Sequence, residues 1–288
     1  MLTMIHVKGV SGVPKLSTQH ITVSYDNNTI IDDFSVDVPE GVITSIIGPN
    51  GCGKSTILKA VSRILQPDRG VVYLNGRNIF EMKTKDVARE MAILAQSPDI
   101  PQSITVEQLV AFGRYPHRRG IGRLSSKDKE AVENAITDTG MADFAKRPLN
   151  ALSGGQRQRA WISMALAQDT DVLLLDEPTT YLDMAHQLEI LELLQQLNQK
   201  EQRTIVLVIH DLNHAARFSD HLIAMKNGKV QHSGTPSEVI CKSVLRKVFG
   251  VDAHVVTDPR TGKPICMTYD LIDQDLEAVP EPVRMAKV

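Results

Sequence analysis

Apolar positions along the chain recur with two periods, and the switches between them mark out the elements. From about residue 17 to 48 the pattern is β: HITVSY (20–25) alternates, IIDDFSVDVP (30–39) follows an Asp-Asn-Asn turn, and VITSIIG (42–48) carries no charge and, apart from Thr44 and Ser45, is apolar until its glycine. A run of that kind suits a strand covered on both faces in a parallel sheet. STILKAVSRIL (55–65) then carries apolar residues at helical spacing and is stopped by Gln66, Pro67 and Asp68. The block from about 97 to 168 reads as mostly helical. Thr105 caps TVEQLVAFG, SSKDKEAVENAITDTG has a serine start and a glycine stop, and GQRQRAWISMALAQ closes it.

Beyond that block come VLLLDE, a helix at MAHQLEILELLQQLNQ, the strand TIVLVIH, a short helix at DLNHAARFS, and HLIAMKNGKVQHSG, a hairpin turning on Asn227 and Gly228. Strands separated by helices of this length predict an α/β fold, a parallel sheet wrapped by helices, with 97–168 inserted as a helical subdomain. After about 251 a hairpin around DPRTGKP is expected, and then a flexible tail, EAVPEPVRMAKV. Residues 1–16, with one early lysine and no long apolar core, read as a flexible leader and not a secretory signal.

Composition narrows the class. Over 288 residues, 42% hydrophobic and 23% charged, the 32 Lys and Arg are balanced by 34 Asp and Glu, so no global positive field invites nucleic acid. No apolar run approaches the roughly 20 residues of a membrane-spanning helix. Cys52, Cys241 and Cys266 are odd in number, far apart and without a CxxC pair, which favours a reducing compartment over a disulfide framework or a zinc site.

Two stretches carry chemistry. GPNGCGKST (48–56) fits GxxxxGK[ST] between a strand and a helix: Gly48, Pro49, Asn50, Gly51, Cys52 and Gly53 form a loop whose amides can approach phosphate oxygens. Lys54 would neutralise β/γ charge, Ser55 would ligate Mg²⁺, and Thr56 follows in the first turn. Cys52, beside that lysine, reads as a small filler whose thiol pKa the lysine could lower. VLLLDEP (172–178) places Asp176 at the end of a buried strand to hold Mg²⁺ through water, and Glu177 next to it to accept the proton of an attacking water.

LSGGQ (152–156), together with the phosphate loop, Gln96, the Asp176-Glu177 pair and His210 in this order, resembles the ATP-binding cassette family of transporter ATPases over roughly residues 17–250. The resemblance implies a P-loop NTPase (RecA-like) core sheet with an antiparallel β subdomain and the inserted helical subdomain. It implies ATP and Mg²⁺ as ligands and a head-to-tail homodimer, in which Ser153, Gly154, Gly155 and Gln156 of one copy cover the ATP held by the other. Tyr25 matches the adenine-stacking residue, although a strand tyrosine packed on the sheet would look the same. Gln96 matches the glutamine that touches Mg²⁺ or the attacking water, Leu182 and Asp183 the segment linking the two sites, and His210 the γ-phosphate contact.

GRYPHRRG (113–120) and HDLNHAARFSDHLIAMKNGKV resemble the siderophore, haem and cobalamin importers, with the iron-siderophore branch nearest. That resemblance implies integral permease subunits, an extracytoplasmic binding protein that delivers substrate, and a peripheral location on the cytoplasmic face of the membrane. Arg114, Arg118, Arg119 and Arg123 are expected to form a solvated face or a permease contact. A non-transport ATPase that clamps a cytosolic partner is the alternative.

Overall fold

The structure is a computed structural model that describes residues 14–26, 28–96, 103–118 and 123–272. The expected leader up to residue 13, the tail from 273, the start of the helical block at 97–102 and Arg119 lie outside the described residues. Strands β1 (Leu16–Tyr25), β2 (Asn28–Val38) and β3 (Ile43–Ile47) precede helix α1 (Lys54–Val61), followed by β4 (Arg69–Leu74), β5 (Arg77–Asn78), α2 (Thr84–Glu90) and β6 (Met91–Leu94). Three helices come next, α3 (Val106–Phe112), α4 (Ser126–Asp138) and α5 (Gly154–Ala167). The chain continues through β7 (Val172–Asp176), α6 (Met184–Glu201), β8 (Thr204–Val208), α7 (Leu212–Phe218), β9 (His221–Lys226) and β10 (Lys229–Gly234). It closes with α8 (Pro236–Val239), α9 (Lys242–Phe249), β11 (Val251–Thr257) and β12 (Pro264–Leu271).

The central sheet has the order β10-β9-β3-β8-β7-β6, parallel throughout except for β10. Its strands are apolar on both sides, and the period of two divides them between two cores. Leu173 and Leu175 of β7 and Ile205 and Leu207 of β8 face the helices α5, α6 and α7. Val172 and Leu174, with Val206 and Val208, face α1 and the antiparallel sheet β2-β1-β4-β5. A one-residue slip would exchange the two cores, so the register is strongly specified. Each of these strands ends toward one edge of the fold, and α1 starts there too.

Helix α1 is shorter than its apolar pattern. It stops at Val61, and Arg63 adopts φ 65°, so Ile64 lies exposed rather than on a helical face. In the helical block α3 and α4 both pack on α5, and each of the three starts with a capping box, from Thr105, Ser125 and Ser153. Arg114 corrects the expected basic face. It is 2% exposed, its Nε donates to Asp128 Oδ1 at 3.0 Å, and its Nη1 donates to the Ala167 carbonyl at 2.7 Å. The guanidinium thus ties the ends of α3 and α5 to the first turn of α4, and Ser125 and Arg114 hold the Asp128 carboxyl below the usual range against its burial. Among the described residues no helix is long and apolar enough to cross a membrane.

Candidate functional site

The loop after β3 is shaped by positive φ: 156° at Gly48, 74° at Gly51 and 102° at Gly53. A Cβ on Gly48 would run into the Met225 carbonyl oxygen, and its Cys52 Sγ neighbour would be 2.8 Å away, so that position admits glycine alone. Gly53 is the N-cap of α1 and supplies no side chain to the helix's open amides. Lys54, the first helical residue, is buried, and its ammonium donates to the carbonyls of Gly48 at 2.9 Å and Pro49 at 3.0 Å. The loop therefore closes round a cation at a helix N-terminus, which is an anion-binding arrangement.

A cleft of about 370 Å³ opens onto this loop, lined by Ile30, Asn50, Gly51, Gly53, Lys54, Ser55, Thr56, Glu177 and His210. Three strand ends supply its polar wall. Ser55 Oγ donates to Asp176 Oδ1 at 3.0 Å. Burial pushes the Asp176 carboxyl up from the usual range, with Ser55 working against it and Glu177 adding to it. Glu177 sits just past β7 at φ 52°, a left-handed conformation that costs about 1–3 kcal/mol for a residue with a side chain. In that conformation its carboxylate becomes a hub. Gln96 Nε2 donates to Oε2 at 2.6 Å, Thr180 Oγ1 donates to the same oxygen at 3.0 Å, and His210 Nε2 lies 2.5 Å from Oε1.

Ser55 and Asp176 bring a hydroxyl and a carboxylate oxygen together, and Gln96, bonded through Nε2 to the neighbouring Glu177, has its side-chain carbonyl oxygen to offer; all three are hard donors of the kind Mg²⁺ takes. Among the described residues no group of three His, Cys, Asp or Glu side chains could hold a metal alone.

Other residues singled out in the sequence lie apart from the cleft. Tyr25 ends β1 with 42% of its surface exposed. Ser153 caps α5: its hydroxyl accepts from the Gln156 amide at 3.2 Å, and Gln156 Oε1 accepts from Ser153 N at 3.1 Å. Ser153, Gly154, Gly155, Gln156 and Asp183 do not line the cleft. Asp183 caps α6 and accepts from His186 N at 2.9 Å and from His186 Nδ1 at 2.7 Å. The His186 backbone bond, followed by its side chain, holds the Asp183 carboxyl below the usual range.

Sequence reasoning missed two of these contacts. His186 packs so close to the start of α5 that a Cβ on Gly155 would enter its ring, and nothing in the sequence pattern couples the two. Thr180 completes the Glu177 hub from a plain threonine pair. Cys52 departs from the expectation as well: it is 5% exposed, and burial raises its thiol pKa more than Lys54 lowers it.

Comparisons with known proteins bear on this site. Residues 31–180 match the family model described as ABC transporter. The chain is 57% identical over 264 residues to the iron(3+)-hydroxamate import ATP-binding protein FhuC of Bacillus subtilis (strain 168), covering 92% of this chain and 98% of that one. It is 44% identical to the ferric enterobactin transport ATP-binding protein FepC of Escherichia coli (strain K12), covering 88% and 93% of the two chains. Among solved structures it resembles the dimeric post-hydrolysis state of the ATP-binding cassette MJ0796 bound to ADP and Pi, with a TM-score of 0.67, 27% identity and coverage of 76% of this chain and 98% of that one.

Proposed function

Because the chain belongs to the ABC transporter family, we propose that it is the ATP-hydrolysing subunit of an importer for ferric siderophores or a related metal chelate such as haem or cobalamin. The observation that carries this reading is the 57% identity to an iron(3+)-hydroxamate import ATP-binding protein along nearly the whole length of both chains. The ATPase core is assigned to residues 17–250 with its helical subdomain at about 97–168, and 251–288 to an appended hairpin and tail.

The cleft suggests how the chain's residues divide the chemistry. The glycine loop and the α1 amides receive the β- and γ-phosphates, and Lys54 exchanges two carbonyl partners for phosphate oxygens. Ser55, Asp176 and Gln96 would hold Mg²⁺, which when bound supplies charge neutralisation at the β- and γ-oxygens. Glu177 accepts a proton from the attacking water. Gln96, Thr180 and His210 fix its carboxylate, and His210 also reaches toward the γ-phosphate. Tyr25, exposed on the β1 end, offers its ring to the adenine.

The exposed start of α5 supports a homodimer. Ser153 to Gln156 of one copy would close on the ATP held by the other, with Leu182 and Asp183 linking the two sites. Closure is then differential binding of ATP to one conformation, and loss of the γ-phosphate reopens the pair. Bound peripherally at the cytoplasmic face of the membrane, the pair would drive integral permease subunits through this cycle, and an extracytoplasmic binding protein would deliver the chelate. The relatives' import functions favour this reading over a cytosolic clamp.

The test is iron uptake. Cells in which Glu177→Gln replaces the wild-type chain should lose uptake of radiolabelled ferric hydroxamate, and crosslinking should recover the chain with an integral membrane protein. Normal uptake of ferric and chelate substrates alike, with the chain in a purely soluble complex, would refute the importer reading.

A further inference from the structure

Helix α7 begins two residues after His210, yet neither it nor its side chains line the cleft. At seven residues it is too short to hold itself in place by helix propagation alone. Besides the sheet and helices that cover its buried face, it is held by the C-terminal hairpin, which pairs with neither of the larger sheets. The Asn213 carboxamide meets β12 as a neighbouring strand would: Nδ2 donates to the Cys266 carbonyl at 3.1 Å, and Oδ1 accepts from the Cys266 amide at 2.8 Å. At the far end of α7, Lys263 Nζ donates to the carbonyl of its C-cap, Ser219, at 2.6 Å. Between these points Ala215, Ala216, Phe218 and Cys266 share one buried core.

The hairpin thus grips α7 at both ends. The connection runs on to the site. Asp211 caps α7 by accepting from His214 N at 2.7 Å, and the residue before it is His210, whose Nε2 lies 2.5 Å from Glu177. A tilt or slide of α7 would therefore move the imidazole relative to the Glu177 carboxylate.

We propose that Asn213 is a positioning residue for ATP hydrolysis: its paired hydrogen bonds to Cys266 anchor α7 to the C-terminal hairpin and so hold His210 against Glu177. The proposal rests on the role given above to His210. Asn213 reaches the reaction only through α7, so its loss acts on turnover and spares nucleotide binding. Misplacement by about 1 Å of a group that orients a reaction costs up to about a hundredfold in rate. A partial loosening here is accordingly expected to cost about tenfold.

The experiment measures steady-state ATPase kinetics of the full-length chain as wild type, Asn213→Ala, Asn213→Asp and His210→Ala. Asn213→Asp is isosteric and keeps the acceptor for the Cys266 amide while losing the donor, so it serves even if the alanine variant folds poorly. In both Asn213 variants kcat should fall about tenfold with KM for ATP within about twofold of wild type. Amide hydrogen exchange should quicken across residues 210–218. Wild-type kcat in both Asn213 variants alongside a crippled His210→Ala overturns the anchor, as does a loss expressed equally in KM. Wild-type kcat in His210→Ala overturns the premise instead.

Discussion

Two helices in this molecule start at glycines, and the two starts are built in opposite ways. At α1 the N-cap is Gly53 in a left-handed conformation with no side chain to offer, and the preceding loop is bent by Gly48 and Gly51 so that its backbone turns inward round Lys54. At α5 the N-cap is Ser153 in an ordinary extended conformation, and it closes a capping box with Gln156. The first start is left open for an outside anion and brings its own cation. The second is closed on itself, and the cation nearest in sequence, Arg157, is turned back on the chain, its Nη2 donating to the Leu152 carbonyl at 3.4 Å. A helix terminus alone is a weak phosphate site. The difference therefore suggests a division of labour, in which α1 binds the nucleotide and α5 senses one presented to it by another copy.

The largest effect that could break this division is expected at Glu177. Glu177→Gln removes the proposed proton acceptor while leaving the loop, Lys54 and the capping box of α5 intact, so hydrolysis should fall by about 10²- to 10⁴-fold with ATP affinity unchanged. The blocked nucleotide should then hold two copies together, which size-exclusion chromatography with ATP and Mg²⁺ would detect as a dimer. A monomeric, ATP-loaded variant would show that the α5 start does not engage a second copy's nucleotide.

A paired glycine substitution sharpens the contrast. Gly48→Ala forces a Cβ into the Met225 carbonyl at a φ of 156°, and that carbonyl is backbone, so it cannot move aside. Strain of about 1–3 kcal/mol should emerge as about 5- to 150-fold weaker ATP binding by the monomer. Gly155→Ala meets the His186 side chain, at an ordinary helical φ, so monomer binding should stay within about twofold while ATP-induced dimerisation weakens. Equal losses of monomer binding from the two substitutions would contradict the division.

Much of this was legible in the sequence because the signals are local. The strand, glycine loop and helix from residue 42 to 61 lie in one stretch, VLLLD is apolar because both its faces are covered, and Asn227 and Gly228 make the turn they announce, with φ 50° and 73°. Elements held by distant partners were harder to see. Helix α2 buries only Val87 and carries no apolar stripe. Arg114 stands in a run of basic residues, and its acid, Asp128, belongs to a capping box 14 residues further on. Asn213 and Cys266 are 53 residues apart and meet side chain to backbone, which leaves no periodicity to read. In the site, the hub round Glu177 joins ends of three strands from residues 96, 177 and 210, and their common location follows from the parallel sheet more than from any one motif.

The smallest effect tests the capping box itself. Ser153→Ala removes the hydroxyl that accepts from the Gln156 amide, and the loss of an N-cap costs about 1 kcal/mol. Because Ala160, Trp161 and Ile162 bury the rest of α5, the helix should persist, and thermal unfolding should shift by only a few degrees. If Ser153 were only a cap, restoring one with Ser153→Asp should recover both stability and ATPase activity. The division argued above predicts otherwise. An aspartate caps as well as serine but sets a negative charge where the partner copy's γ-phosphate would arrive, so stability should return while cooperative hydrolysis does not. Thermal melts and ATPase rates on the same two variants separate the outcomes, since a cap acts on both readouts and a phosphate contact only on the second.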